Sequence, residues 1–96
     1  MPQVRFSQRA LADLDRLFDF LVAADPDAAR KAGAAIVDAT GVLQRHPMIG
    51  RPVRNNVREL IISRGNSGYV ALYRYLPRYD RGDVLAIRHQ REAGYA

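Results

Sequence analysis

Cysteine and tryptophan are absent from this chain of 96 residues, and lysine occurs only once. Without cysteine, the sequence excludes a disulfide scaffold, a thiolate zinc site, an iron–sulfur cluster and a cysteine nucleophile. It also lacks a run of 18 apolar residues, so no transmembrane helix is predicted. Asp13, Asp15 and Asp19 interrupt the only apolar stretch near the N-terminus, which excludes a secretory signal. These absences predict a cytoplasmic protein, and the length predicts a single domain over residues 1–96.

Charge is distributed unevenly along the sequence. The net charge is +5, yet residues 1–48 contain six basic and six acidic residues and are neutral. The entire excess lies in residues 49–96, where nine arginines face four acidic residues. Arginine offers a planar fork that matches phosphate and carboxylate groups. The second half therefore predicts an anionic partner, either a nucleic acid or an acidic protein segment.

The first half of the sequence predicts a short strand and a helical hairpin. Residues 3–6 alternate polar and apolar side chains, and Ser7 is a typical helix N-cap. Asp25 is a suitable N-cap and Pro26 a suitable first residue for a second helix. The two helices are therefore predicted to form a hairpin from about residue 8 to 45. Phe20 falls off the apolar stripe of the first helix and is expected to be exposed. The stripe of the second helix consists of Ala29, Ala32, Ile36, Ala39 and Leu43.

The second half predicts an ordered loop at 47–56, followed by strands at 57–63, 69–76 and 83–89. Short connections favour antiparallel neighbours. The expected fold is a two-layer α+β domain, in which the N-terminal strand and the hairpin pack on a mainly antiparallel sheet of about four strands. Alternation assigns two sets of side chains to the two faces of this sheet. Leu60, Ile62, Val70, Leu72, Leu76, Leu85 and Ile87 are expected to face the helices, and Tyr69, Ala71, Tyr73 and Tyr75 to face away from them.

Five segments in this order resemble the RelE/ParE toxin superfamily: FSQRALADL, LQRHPMIGRP, REL at 58–60, GYVALYRY at 68–75 and IRHQRE at 87–92. Together they cover nearly the whole chain. The resemblance implies the toxin of a type II toxin–antitoxin pair, neutralised by a cognate antitoxin. It implies a small DNA-binding antitoxin, of the ribbon–helix–helix kind or similar, in a hetero-oligomeric complex.

The superfamily has two branches, and five positions separate them. RelE-like members are ribosome-dependent mRNA endonucleases with two lysines, two arginines and a tyrosine in the site. The lysine positions fall near Ile61 and Ser63, and one arginine position falls at Val70. The other arginine matches Arg91, and the tyrosine lies near Tyr95. Because each lost cationic donor costs about 10²–10³ in rate, the ParE-like branch, which inhibits DNA gyrase, is favoured.

Candidate site residues follow from each alternative. If the chain is an RNase, the predicted catalytic residues are Arg74, His89, Arg91 and Tyr95. If it is a gyrase inhibitor, the predicted target-binding residues are Arg88, Arg91 and Glu92. A third alternative is an inactive toxin-like module that only binds an antitoxin. No metal or cofactor is predicted. The expected antitoxin-binding residues are Phe20, Arg51, Arg54, Arg58, Tyr69, Tyr73 and Tyr75.

Overall fold

The computed structural model describes residues 2–62 and 68–92. Within these two ranges, two α-helices, five strands and one short 3-10 helix at Pro77–Tyr79 form. No helix in them is long and apolar enough to cross a membrane. In chain order the elements are β1 (Gln3–Phe6), α1 (Gln8–Ala24), α2 (Pro26–Arg45), β2 (Arg51–Arg54), β3 (Val57–Ile61), β4 (Tyr69–Leu76) and β5 (Arg81–His89).

The helical hairpin has the caps that the sequence predicts. The Ser7 hydroxyl accepts the N–H of Ala10 at 3.0 Å, and the Asp25 carboxylate accepts the N–H of Asp27 at 3.1 Å. Pro26 occupies the first turn of α2, where its missing N–H leaves no helical bond unmade. Phe20 is 73% exposed, as expected from its helical phase. The five residues predicted for the α2 stripe are all buried.

The sheet has the order β1-β5-β4-β3-β2, with β1 parallel to β5 and the other pairs antiparallel. The predicted count of about four strands is wrong because β2 forms within the segment expected to be a loop. All four β2 residues are exposed. The strand therefore lacks the buried alternation from which a strand is recognised in a sequence.

The predicted assignment of the two sheet faces is wrong for β4. Tyr69, Ala71 and Tyr73 are buried in the core beneath the helices, together with Ile87. The register pairs Leu60 with Ala71, so the odd-numbered β4 side chains join Leu60 on the helix side. Since β4 is apolar on both faces, alternation alone does not distinguish them.

A β-bulge changes which side chains of β5 face the helices. Leu72 pairs with Ala86 and Tyr73 with Val84, which leaves Leu85 as the extra residue. Val84 and Ile87 consequently both face the helices although they are three residues apart. Leu85 instead packs with a small cluster on the opposite side of the sheet, here called the open face. The buried members of that cluster are Val57, Leu72 and Ala86.

Side chains complete the outer edge of β5 beyond its pairing with β1. The Ser7 hydroxyl donates to the carbonyl of Leu85 at 2.9 Å, and the N–H of Ile87 donates to the Asp13 carboxylate at 2.9 Å. Asp13 is only 7% exposed, with Arg9 and Arg16 nitrogens 3.8 Å from its oxygens. These bonds fix α1 along β5.

Tyr73 fixes the connection between the hairpin and the sheet. Its hydroxyl accepts the N–H of Gly50 at 2.8 Å and donates to the carbonyl of Pro47 at 2.9 Å. A β-carbon on Gly50 would lie 2.5 Å from the tyrosine ring, so only glycine fits there. Burial raises the pKa of Tyr73, against the opposing effects of the Gly50 N–H and the Arg58 charge.

Candidate functional site

Two of the positions expected to carry RelE-like cations, Ile61 and Val70, lie on the open face. Ile61 pairs with Val70, and Val70 pairs with Arg88, so the three side chains form one row across β3, β4 and β5. Val70 is buried and Ile61 is 56% exposed. Ser63, another of the predicted positions, lies outside the described residues. In the described part of the row, Arg88 is therefore the one residue that carries a charge.

The Arg88 guanidinium is engaged by the turn that follows β5. Its Nη1 lies 3.3 Å from the carbonyl oxygens of His89 and Gln90 and 3.2 Å from that of Glu92. A guanidinium donates several hydrogen bonds from one plane, which suits it to gather backbone carbonyls. Arg88, predicted to bind the target, thus holds the C-terminal turn in place.

His89, Arg91 and Glu92 lie together on the other side of this turn. Together with Phe20 they line a pocket. The remaining walls of this pocket come from Arg16, Leu17, Leu21 and Tyr69. The backbone N–H of Arg91 donates to Nδ1 of His89 at 3.1 Å. Because Nδ1 accepts a hydrogen bond, the neutral ring carries its proton on Nε2. The His89 ring also packs edge-on against Tyr69, with ring centroids 5.4 Å apart.

Glu92 joins this turn to α1. Its carboxylate accepts the N–H of His89 at 3.0 Å and forms an ion pair with Arg16 at 3.1 Å. Partial burial alone would raise the pKa of Glu92, but the His89 N–H and the Arg16 charge bring it below its ordinary value. Both predicted target-binding residues Arg88 and Glu92 therefore stabilise the turn, and Arg91 is exposed at its surface.

The four predicted RNase residues are not assembled as one site in the described residues. Arg74 pairs with Val57 and Asp83 on the open face. His89 pairs with Tyr69, which lies five residues before Arg74 on β4 and on the face that meets the helices. Arg91 accompanies His89 in the pocket beside Phe20. Tyr95 lies outside the described residues.

The three arginines predicted to form a patch after the hairpin have separate roles. Arg51 forms an ion pair with Glu59 at 2.9 Å. Arg58 donates to the carbonyls of Met48 and Gly50, at 3.0 and 2.8 Å, and so supports the loop that Tyr73 holds. Arg54 is exposed at the end of β2 and pairs with Val57 on the open face.

The tyrosines of β4 do not form the uncovered surface that the sequence predicts. Tyr69 and Tyr73 are 3% and 1% exposed, because they face the helices. Tyr75, near the end of the strand, donates its hydroxyl to Asp80 at 3.1 Å. Desolvation raises the pKa of Tyr75 most, and the Asp80 carboxylate raises it further. Arginines are exposed on the open face instead, among them Arg5, Arg51 and Arg54.

The open face carries a feature that the sequence analysis missed. Arg54, Val57, Arg74, Asp83 and Arg5 are consecutive partners across all five strands. Alternation with Val70, Leu72 and Leu76, which were expected to face the helices, would place Arg74 on the same side, but it lies on the open face with Val57. The signal that identifies the row is the registry of the strands, which the sequence does not encode locally.

Comparison with known proteins agrees with this architecture. Residues 4–94 match the family model for the ParE toxin of the type II toxin–antitoxin system parDE. The toxin RelE3 of Caulobacter vibrioides is 37% identical over 92 residues, which are 96% of this chain and 98% of the relative. The toxin RelE1 of the same organism is 41% identical over 73 residues, which are 76% of this chain and 78% of the relative.

Two solved structures share the fold over most of their length. A chain of the chromosomal ParDE system from P. aeruginosa is 28% identical, with a TM-score of 0.74, covering 93% of this chain and 96% of that one. A chain of the RelBE2 toxin–antitoxin complex from Mycobacterium tuberculosis is 26% identical, with a TM-score of 0.66, covering 95% and 93%. The chain belongs to the ParE toxin family of type II toxin–antitoxin systems.

Proposed function

We propose that this toxin inhibits DNA gyrase by binding to it, and that a cognate antitoxin neutralises it. The observation that carries the proposal is the row formed by Ile61, Val70 and Arg88 on the open face. Two of its three side chains are aliphatic, where the RNase alternative requires cations. The remaining guanidinium donates to the carbonyls of the C-terminal turn.

Cleavage of RNA by its 2′-hydroxyl needs a base near that hydroxyl and cations near the phosphate. Of the predicted candidates, Arg74 lies on the open face and His89 on the face that meets the helices. The Nδ1 of His89 already accepts the N–H of Arg91. The described candidates are thus divided between the two faces, with Arg74 apart from His89 and Arg91. A toxin that acts through surface contacts requires no such set.

The antitoxin partner is supported by two independent observations. Structures similar to this chain were determined as toxin–antitoxin complexes, as in the RelBE2 complex. The second half of the sequence carries the entire net charge of +5, which favours an acidic partner. The predicted antitoxin contact at Phe20 agrees with its exposure in the pocket beside His89.

The test separates DNA synthesis from protein synthesis. Pulse labelling after induction of this chain alone is expected to show that DNA synthesis falls first. The purified chain should also inhibit supercoiling by purified gyrase. If protein synthesis falls first and mRNA is cut on ribosomes, the gyrase proposal is wrong and the RNase alternative replaces it. If the chain is harmless, the inactive-module alternative holds.

Arg91→Ala tests the target-binding role of the C-terminal turn. Arg91 is exposed, so its removal should weaken gyrase inhibition by roughly tenfold if it makes a charged contact. The matched control is Arg78→Ala, which removes an exposed arginine from the turn before β5. Equal inhibition by the two variants would contradict the assignment of Arg91.

A further inference from the structure

Arg16 extends from α1 to the C-terminal turn, which consists of residues 89–92. Its Nη1 donates to both carboxylate oxygens of Glu92, at 3.2 and 3.1 Å. Its Nη2 lies 3.8 Å from the Asp13 carboxylate, which accepts the N–H of Ile87 on β5. One guanidinium thus connects a carboxylate that is fixed in the core to a carboxylate in the turn.

Glu92 and His89 determine the shape of the turn around Arg91. The N–H of His89 donates to the Glu92 carboxylate at 3.0 Å, and the N–H of Glu92 donates to the His89 carbonyl at 3.0 Å. The N–H of Arg91 donates to Nδ1 of His89 at 3.1 Å. Since each of these bonds involves His89 or Glu92, a displacement of the Glu92 carboxylate also displaces the backbone that carries Arg91.

Two arginines hold the turn, and they do so from different layers of the fold. Arg88 donates to three carbonyls of the turn, and these bonds connect the turn only to its own strand. Arg16 instead binds the Glu92 carboxylate from the helical layer. Phe20 follows Arg16 by four residues, so both project from one face of α1, and both line the pocket with Arg91. Arg16 therefore sets the position of the turn relative to α1.

The ion pair between Arg16 and Glu92 lies at the surface, where it adds little to folding stability. The two side chains are 43% and 27% exposed, and exposed ion pairs are weakened by solvent and by the entropy of long side chains. Two hydrogen bonds to both oxygens of one carboxylate nevertheless fix its direction, because a guanidinium presents its donors in one plane. The geometry therefore favours a role in orientation over a role in stability.

We propose that Arg16 is a positioning residue for gyrase inhibition, which holds the C-terminal turn against α1 so that Arg91 meets the target in a fixed orientation. A side chain that is held in its binding orientation loses less conformational entropy when it binds. The inference rests on the proposed function. It adds a residue from the neutral half of the sequence to a target surface that sequence analysis placed in the C-terminal segment alone.

Supercoiling assays with purified gyrase and variants of the full chain test this role. Arg16→Gln removes the charge that binds Glu92, so inhibition should weaken by about threefold to tenfold. Arg16→Lys keeps the charge and should restore most of the inhibition. The matched control is Arg9→Gln, since Arg9 also lies 3.8 Å from Asp13 but is about 10.5 Å from Arg16 along the helix axis. This control should inhibit as the wild type does, and thermal unfolding checks that every variant is folded.

A double variant separates positioning from direct contact with gyrase. In a chain that already carries Arg91→Ala, the further change Arg16→Gln should weaken inhibition by less than about twofold, because the residue through which Arg16 acts is missing. Full additivity of the two substitutions overturns the inference, since it assigns Arg16 a contact of its own. Equal inhibition by Arg16→Gln and Arg9→Gln also overturns it.

Amide hydrogen exchange measures the turn in the absence of gyrase. Arg16→Gln should speed exchange of the His89 and Arg91 amides by at least about threefold relative to Arg9→Gln, while the Ile87 amide exchanges equally in the two variants. Equal exchange of the turn amides in the two variants overturns the inference. If the wild-type chain fails to inhibit gyrase, the proposed function fails, and the exchange rates still decide whether Arg16 holds the turn.

Discussion

At the scale of single residues, Asp13 supplies the hydrogen-bond acceptor that a neighbouring strand would otherwise provide for β5. Its carboxylate accepts the N–H of Ile87 from a side-chain position that is almost fully buried. Arg9 and Arg16 balance its charge from the solvent side. A buried backbone donor without an acceptor is costly. The residue is therefore structural, although a buried carboxylate between two arginines resembles a catalytic group.

Asp13→Ala should destabilise the fold by about 2 kcal/mol, because it leaves the N–H of Ile87 unsatisfied in the core. Asp19→Ala, on an exposed position of the same helix, should change the free energy of unfolding by less than about 0.5 kcal/mol. Urea denaturation of both variants measures the difference. Equal stability of the two would contradict the structural role of Asp13.

Gly50 and Gly82 make a matched pair of glycine substitutions. A β-carbon on Gly50 meets Tyr73 at 2.5 Å and the Glu59 carbonyl at 2.9 Å, whereas one on Gly82 meets nothing within 4 Å. Gly50→Ala should therefore cost about 2 kcal/mol or more through overpacking. Gly82→Ala should be neutral or slightly stabilising. Thermal unfolding of the two variants provides the measurement, and a neutral Gly50→Ala would refute the Tyr73 clamp.

At the scale of elements, the helices were predictable but the sheet faces only in part. Leu60, Ile62 and Ile87 meet the helices as predicted, whereas the faces of β4 are exchanged. The α2 stripe repeats small apolar residues at helical spacing, and each of them is buried as expected. Strand β4 has apolar side chains on both faces, so its orientation depends on the register with β3, which pairs Leu60 with Ala71. The extra residue Leu85 then reverses the phase of β5. Register and bulges arise from contacts between distant segments and leave no local pattern.

Dependence on strand register also determines which parts of the candidate site could be predicted from the sequence. His89, Arg91 and Glu92 were recognisable because they are neighbours in the sequence. The row containing Arg54 and Arg74 was not, because it depends on the pairing of three strands. Exposure of Phe20 was predictable from helical phase alone.

The C-terminal turn should loosen in acid. The pKa of Glu92 lies below its ordinary value of 4.5 in the folded chain, because its ionised form accepts the His89 N–H and pairs with Arg16. Its stabilising contribution is therefore complete above about pH 4.5 and is lost as the pH falls through the lower folded pKa. Glu92→Gln should be less stable than the wild type near neutral pH, with a difference that shrinks in acid. An unchanged difference from about pH 7 to pH 3 would contradict this.

At the scale of the whole molecule, charge is divided between the two layers. The segment that forms β1 and the hairpin is neutral, and the segment that forms the remaining strands carries the excess. The open face displays arginines on four of the five strands, among them Arg5, Arg51, Arg54, Arg74 and Arg81. Such a one-sided field speeds the approach of an acidic partner and weakens with added salt.

The parallel pairing of β1 with β5 has a consequence for synthesis. The hydroxyl of Ser7 and the carbonyl of Leu85 meet across 78 positions of the chain, and β1 lies at the sheet edge with β5 as its only strand neighbour. A nascent chain that still has residues 81–89 inside the ribosome contains the hairpin but neither the completed sheet nor the C-terminal turn. The sheet is therefore completed only after residues 81–89 have left the ribosome, so β1 and β4 gain their shared partner late in synthesis.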